Sequence, residues 1–151
     1  MNHQNSGPNP EFVAHGRDLD VLISQGVALH GHLGPYLVSG IRMGLLALDL
    51  LGCSGYSDIQ AESDAGSKTP LSCLSDGIQI GCGCTPGKGN LRITSWCRPR
   101  VWFADQNGRT VTIEIRPEVT ASFREQSIEQ ASQHVKMLPL EELFLWNAPS
   151  S

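Results

Sequence analysis

The sequence has no cluster of basic residues. Eleven Lys and Arg are scattered among fifteen Asp and Glu, and the 151-residue chain carries a formal charge of −4. A nucleic-acid surface needs concentrated cations to neutralise phosphates, so no nucleic-acid partner is expected. Nor is there an apolar run long enough to span a bilayer, and the first twenty residues hold no apolar stretch of the kind an export signal needs. The expectation is a cytoplasmic protein with no membrane partner. Paired Cys-x-x-Cys knuckles are missing, which removes a structural zinc finger, and no iron–sulfur cysteine pattern is present. The five cysteines, Cys53, Cys73, Cys82, Cys84 and Cys97, are odd in number and unevenly spaced. In a reducing compartment they read as thiols or ligands rather than as a disulfide framework. A phosphate-binding P-loop is also missing: around Gly87-Lys88-Gly89-Asn90, Cys82 stands where the first glycine belongs and Gly89 where Ser or Thr is required.

What is present fits one domain, with 40% apolar and 17% charged residues. Residues 1–15 read as a mobile polar tail, 16–146 as the core and 147–151 as a C-terminal tail. Leu19, Leu22, Ile23, Gly26 and Val27 recur at helical spacing, which predicts a helix from Asp18 to His30. At about 100° per residue, His30 falls roughly 20° from Leu19, on the buried side of the last turn. Pro35 opens a second helix that runs to about Leu51 and is apolar nearly all round, with Gly52 as its stop. Gly40 and Gly44, four apart on it, either admit another backbone, from a neighbouring helix or a second copy of the chain, or are small residues tolerated in a crowded core. Arg42 and Asp49 are a candidate buried or interface pair.

Further on come a short strand at Asp58 to Ser63, a short helix at Ser72 to Ile80, strands at Leu91 to Trp96 and Val101 to Ala104, and the alternating strand Arg109 to Ile115 after an Asn107-Gly108 turn. Pro117 restarts helix, followed by Gln130 to Met137 and a last helical turn around Glu141 to Leu145. The order implies an α+β fold, an antiparallel sheet packed with helices, rather than alternating βα units.

Three groups could carry chemistry. His30 and His32, separated by Gly31, would point apart on one helix but share a side in extended backbone. With Cys84, and Cys73 or Cys82 as further donors, they form a ligand set for zinc or ferrous iron, three protein ligands leaving a fourth position open. A core histidine bonded to a backbone carbonyl, and a plain glycine-rich loop at Cys82 and Cys84, are the competing readings. The Gly87-Lys88-Gly89-Asn90 turn is either an anion-binding nest with Lys88 as its cation or simply a tight turn. Asp76 and Gln79 share a helical face and can orient a metal-bound histidine or hold a polar ligand, while Ser72 or Ser75 caps the same helix.

Taken together, His30-Gly-His-Leu-Gly-Pro-Tyr-Leu-Val-Ser-Gly-Ile-Arg-Met-Gly44, Pro70-Leu-Ser-Cys-Leu-Ser-Asp-Gly-Ile-Gln79 and Gly83-Cys-Thr-Pro-Gly-Lys-Gly-Asn-Leu91 resemble the FmdE family of formylmethanofuran dehydrogenase proteins over roughly residues 18 to 135. The resemblance implies an α+β core, usually a homodimer, with a cleft that holds a transition metal, zinc first and iron or nickel as alternatives. Carried over, the ligands are His30 or His32, Cys73 and Cys84, with Cys84 and His32 as the reactive pair and Asp76, Gln79, Thr85 and Lys88 lining the cleft. Two departures stand out: Gly34 replaces a cysteine that many relatives carry, and no C-terminal zinc finger follows the core. The resemblance implies either a metal-dependent redox or C1-related protein or a non-catalytic metal-binding or assembly partner of a larger oxidoreductase. A third reading has the motifs stabilising a dimer without metal.

Overall fold

The computed structural model describes residues 13, 14 and 17–151. Of the expected N-terminal tail, 1–12 and 15 lie outside the described residues. Val13–Ala14 (β1) pairs antiparallel with Arg17–Asp18 (β2). Asp18 then caps helix α1 (Leu19–His30), its carboxylate accepting from the Asp20 backbone N–H at 2.9 Å. The helix stops where Gly31 takes a left-handed φ of 106°. Pro35 starts α2 (Pro35–Leu51), nearly all of it buried, and Gly52 ends it with a φ of 66°.

Helix α3 (Cys73–Cys82) lies against α2 at a distance that only glycine permits. A Cβ on Gly40 would collide with the Leu74 carbonyl, and one on Gly44 would stand 2.8 Å from the Cys82 nitrogen. In return, Cβ atoms on Gly77 and Gly81 would run into the carbonyls of Leu37 and Ile41. The two Gly-x-x-x-Gly stripes therefore face each other, and of the readings open for Gly40 and Gly44 the neighbouring helix is the one realised. Helix α1 packs on the same helix through Leu19 and Leu22 against Leu37, Ile41 and Leu45.

Beneath α2 lies a five-stranded sheet ordered β4-β3-β5-β6-β7, built from β3 (Ile59–Ser63), β4 (Leu91–Ile93), β5 (Arg100–Asp105), β6 (Thr110–Ile115) and β7 (Phe144–Trp146). Every pairing is antiparallel except β3 with β4. Register sets Ala61 opposite Phe103 and Phe103 opposite Val111, all buried, while Glu62, Trp102 and Thr112 share the other face. Helices α4 (Pro117–Ser122), α5 (Ile128–Met137) and α6 (Leu140–Leu143) complete the α+β domain, with Ser127 and Gln130 forming a reciprocal capping box on α5. Among the described residues, no helix is long and apolar enough to cross a membrane.

Several elements differ from expectation for local reasons. Leu145 belongs not to a helical turn but to β7, whose pairing with β6 satisfies an edge that would otherwise be bare. β4 stops at Ile93 because the chain bends so that Thr94 N–H reaches the Ser63 carbonyl and Arg98 N–H the Asp64 carbonyl. Residues 147–151 are tied to β6, with Asn147 Oδ1 accepting from Thr112 N–H and Ser150 bridging Thr110. Neither Ser72 nor Ser75 caps α3: Ser72 makes no side-chain cap, and Ser75 Oγ bonds Ser63 Oγ at 2.8 Å in the core. Asp49 is exposed, whereas the buried Arg42 donates to the carbonyls of Val135 and Leu138 at the end of α5.

The glycine interface gives a direct test. Gly77→Ala should destabilise the fold by about 1–3 kcal/mol or more, the usual cost of forcing an extra carbon into a closed interface. Gly87→Ala, where a Cβ meets nothing within 4 Å, should stay near neutral in the same denaturant titration.

Candidate metal centre

The packing of α1 on α3 brings residues from three segments to one point. His30 is the last residue of α1, and the left-handed Gly31 folds the chain back so that the His32 ring lies 4.5 Å from the His30 ring at 43°. This is a tight turn rather than the extended backbone expected, yet it achieves the same convergence. Across from them, the first turn of α3 presents Cys73 and Asp76. One donor atom from each of His30, His32 and Cys73 lies within 4.8 Å of the others.

Asp76 fixes the first of these. Its Oδ2 lies 2.5 Å from His30 Nδ1, and Gln79 Nε2 donates to its Oδ1 at 3.4 Å. The imidazole therefore donates from Nδ1 and leaves Nε2 as the acceptor, the arrangement found behind histidines that bind metals. His30 Nε2 is buried and has no hydrogen-bond partner. A buried acceptor with nothing to accept from is costly, and a cation relieves it. The core-histidine reading does not hold, since the bond of His30 goes to a carboxylate and its other nitrogen is aimed at His32 and Cys73.

Cys73 is 5% exposed, and burial, with the Asp76 carboxylate adding to it, pushes its thiol above the ordinary range. It is therefore protonated at neutral pH until a cation draws off the proton. His32 is exposed, so the cluster has a buried side and an open side.

Cys84 is not part of this cluster. It is fully buried at the other end of α3, its Sγ donating to the Ile59 carbonyl at 3.3 Å, while Cys82 Sγ donates to the Ile78 carbonyl at 3.3 Å. Contact with Cys82 and burial raise the Cys84 thiol strongly. Neither its position nor its protonation suits the ligand and reactive role expected of it. Nine residues at about 1.5 Å each put Cys82 about 14 Å along the helix from Cys73, so α3 holds apart what the expected single cleft joins. Thr85 and Lys88 stay at that far end as well. Thr85 Oγ1 accepts from the Lys88 N–H, and Lys88 Nζ donates to the Gly83 carbonyl at 2.6 Å. The turn is internally bonded, with Lys88 and Arg17 both set over the Tyr56 ring. No motif flagged Arg17 or Tyr56. Their only signal is long-range: Arg17 reaches the Gly81 carbonyl, and Asn90 Nδ2 bonds the Tyr56 carbonyl at 2.7 Å.

An α+β domain with a His-His-Cys cluster between two helices defines a class of candidate metal-binding proteins. Within it the chain belongs to the family described as "FmdE, Molybdenum formylmethanofuran dehydrogenase operon", which matches residues 29–145. The fold is shared with a crystal structure of an FmdE-like protein of tungsten formylmethanofuran dehydrogenase type from Syntrophus aciditrophicus, at a TM-score of 0.69 and 19% identity, covering 89% of this chain and 72% of that one. A "Probable S-adenosyl-L-methionine-binding protein" of Archaeoglobus fulgidus is 33% identical over 76 residues, 46% of this chain. The match covers only 19% of that relative's length.

Burial of the thiols predicts a simple labelling pattern. Brief native alkylation with iodoacetamide at neutral pH should modify Cys97, which is exposed, ahead of the four buried cysteines. Cys53 is further protected by a pKa pushed up to about 11 by burial and the nearby Asp58 carboxylate. Peptide mapping by mass spectrometry reads the order, and an early adduct on Cys73 would contradict its burial.

Proposed function

We propose that this FmdE-family protein binds one transition-metal ion through His30 Nε2, His32 and Cys73, zinc first and iron or nickel as alternatives. The observation that carries the reading is the buried, unpartnered His30 Nε2, held in the accepting tautomer by Asp76. Imidazole nitrogen and thiolate sulfur together suit these borderline metals. When bound, such an ion supplies Lewis acidity to a ligand in its open position. The protein's own residues do the rest: Asp76 and Gln79 orient His30, Cys73 supplies the single negative charge, and His32 faces the solvent side.

The role we assign is metal-dependent redox or C1-related chemistry in the cytoplasm, carried out by a homodimer. A second reading, a non-catalytic metal-binding or assembly component of a larger oxidoreductase, is favoured by the family's description as part of a dehydrogenase operon. Stable co-purification with such an enzyme supports that second reading, whereas turnover by the isolated chain supports the first.

Metal titration tests the site. Wild type should take up one zinc per chain. His30→Ala and Cys73→Ser should abolish tight binding, and Asp76→Asn should weaken it about 10–100-fold, the usual cost of losing the carboxylate behind a ligating histidine. Cys84→Ser should bind as wild type. Equal, substoichiometric uptake by wild type and all of these variants would sink the proposal.

A further inference from the structure

Gly34 is a glycine without a backbone or packing reason to be one. Its φ of −164° and ψ of 159° are extended, open to any residue, and the following Pro35 favours the same region. At the buried glycines of the α2–α3 interface a Cβ would strike backbone. At Gly34, also buried, a Cβ would meet only one atom within 4 Å, His32 Nε2 at 4.0 Å. The space a side chain would take at position 34 therefore opens onto the ligand cluster.

Gly34 is also the N-cap of α2. Ser, Thr, Asp or Asn are favoured there because a side-chain oxygen accepts from the free backbone N–H groups of the first turn. Here α2 has no side-chain cap and no acidic residue in its first turn. Pro35 has no N–H to satisfy, which leaves those of Tyr36 and Leu37, together with the positive end of a 17-residue helix. This helix end alone would mean little. The independent observation is His30, whose side chain is only 9% exposed and whose Nε2 has no partner, in ring contact with His32 beside Gly34.

We infer that Gly34 keeps one coordination position of the metal site open for an exchangeable small oxyanion of the carboxylate class, which the N-terminus of α2 helps to hold. The inference rests on the metal reading given above. A divalent ion with the Cys73 thiolate and two neutral imidazoles carries one net positive charge, and the Asp76 carboxylate is engaged by His30 and Gln79. A monoanion completes that charge balance. The exposed His32 gives it a route in from solvent.

The test uses the full chain loaded with Co2+, whose visible bands report its ligands, and acetate as the probe at constant ionic strength. Wild type should show a saturable band shift with acetate in the millimolar range. In Gly34→Cys the new thiolate should occupy the position, adding sulfur-to-cobalt charge-transfer absorption in the near ultraviolet and weakening the acetate response at least about tenfold. Gly34→Asp, which caps α2 and brings its own carboxylate, should also lose the response, and it decides the matter if the cysteine variant does not fold. Gly34→Ala should keep the response. Stoichiometric Co2+ uptake by wild type with bands indifferent to acetate would overturn this inference while leaving the metal site standing. Failure of wild type to bind Co2+ would overturn both.

Discussion

The close approach of α2 and α3 is the constraint on which the site depends. Four glycines, Gly40 and Gly44 against Gly77 and Gly81, let two helix backbones meet where any Cβ would collide with backbone atoms. That contact fixes the height at which the first turn of α3 stands beside the end of α1, because α1 is packed on the same α2 through Leu37 and Ile41. Three donors from sequence positions 30, 32 and 73 thus converge through a backbone contact that none of them makes. Dispersion and burial over the whole interface hold the geometry, so the ligands need not organise themselves.

The length of α3 divides the chain's polar chemistry. At its N-terminal end stand Cys73 and Asp76, next to imidazoles and open to solvent through His32. At its C-terminal end, Cys82 and Cys84 are sealed in the core and Lys88 is folded onto its own loop. Cysteines at the two ends therefore differ in kind. Cys73 can exchange its proton for a cation beside a solvent-facing histidine, whereas Cys84 bonds a backbone carbonyl as a small core residue does.

Much of the fold was legible because it is written in local signals. Apolar periodicity, Pro35 and Gly52 bound α2, and the alternation of Val111, Ile113 and Ile115 marks β6. At the site, the pairing of His30 with His32 and the orienting position of Asp76 were readable from spacing on a helix. What was not legible is long-range. His-x-His and Cys-x-Cys look like halves of one motif, and only the rise of α3 shows that Cys84 sits a helix length away from the histidines. β7 was missed because Leu140–Leu143 is helical and the switch to strand is dictated by the open edge of β6, a partner remote in sequence.

Arg42 gives the C-terminal third of the chain a particular attachment. The last carbonyls of a helix normally turn to water or to a glycine cap, but those of Val135 and Leu138 receive the guanidinium of a residue buried on α2, 93 and 96 positions earlier. Detaching α5 would strand a buried charge and uncap a helix in one step, each a substantial penalty. The segment from Ile128 onward is therefore not a peripheral layer that can open on its own. It shares one cooperative unit with the central helix, and its amide protons exchange only as slowly as those of α2.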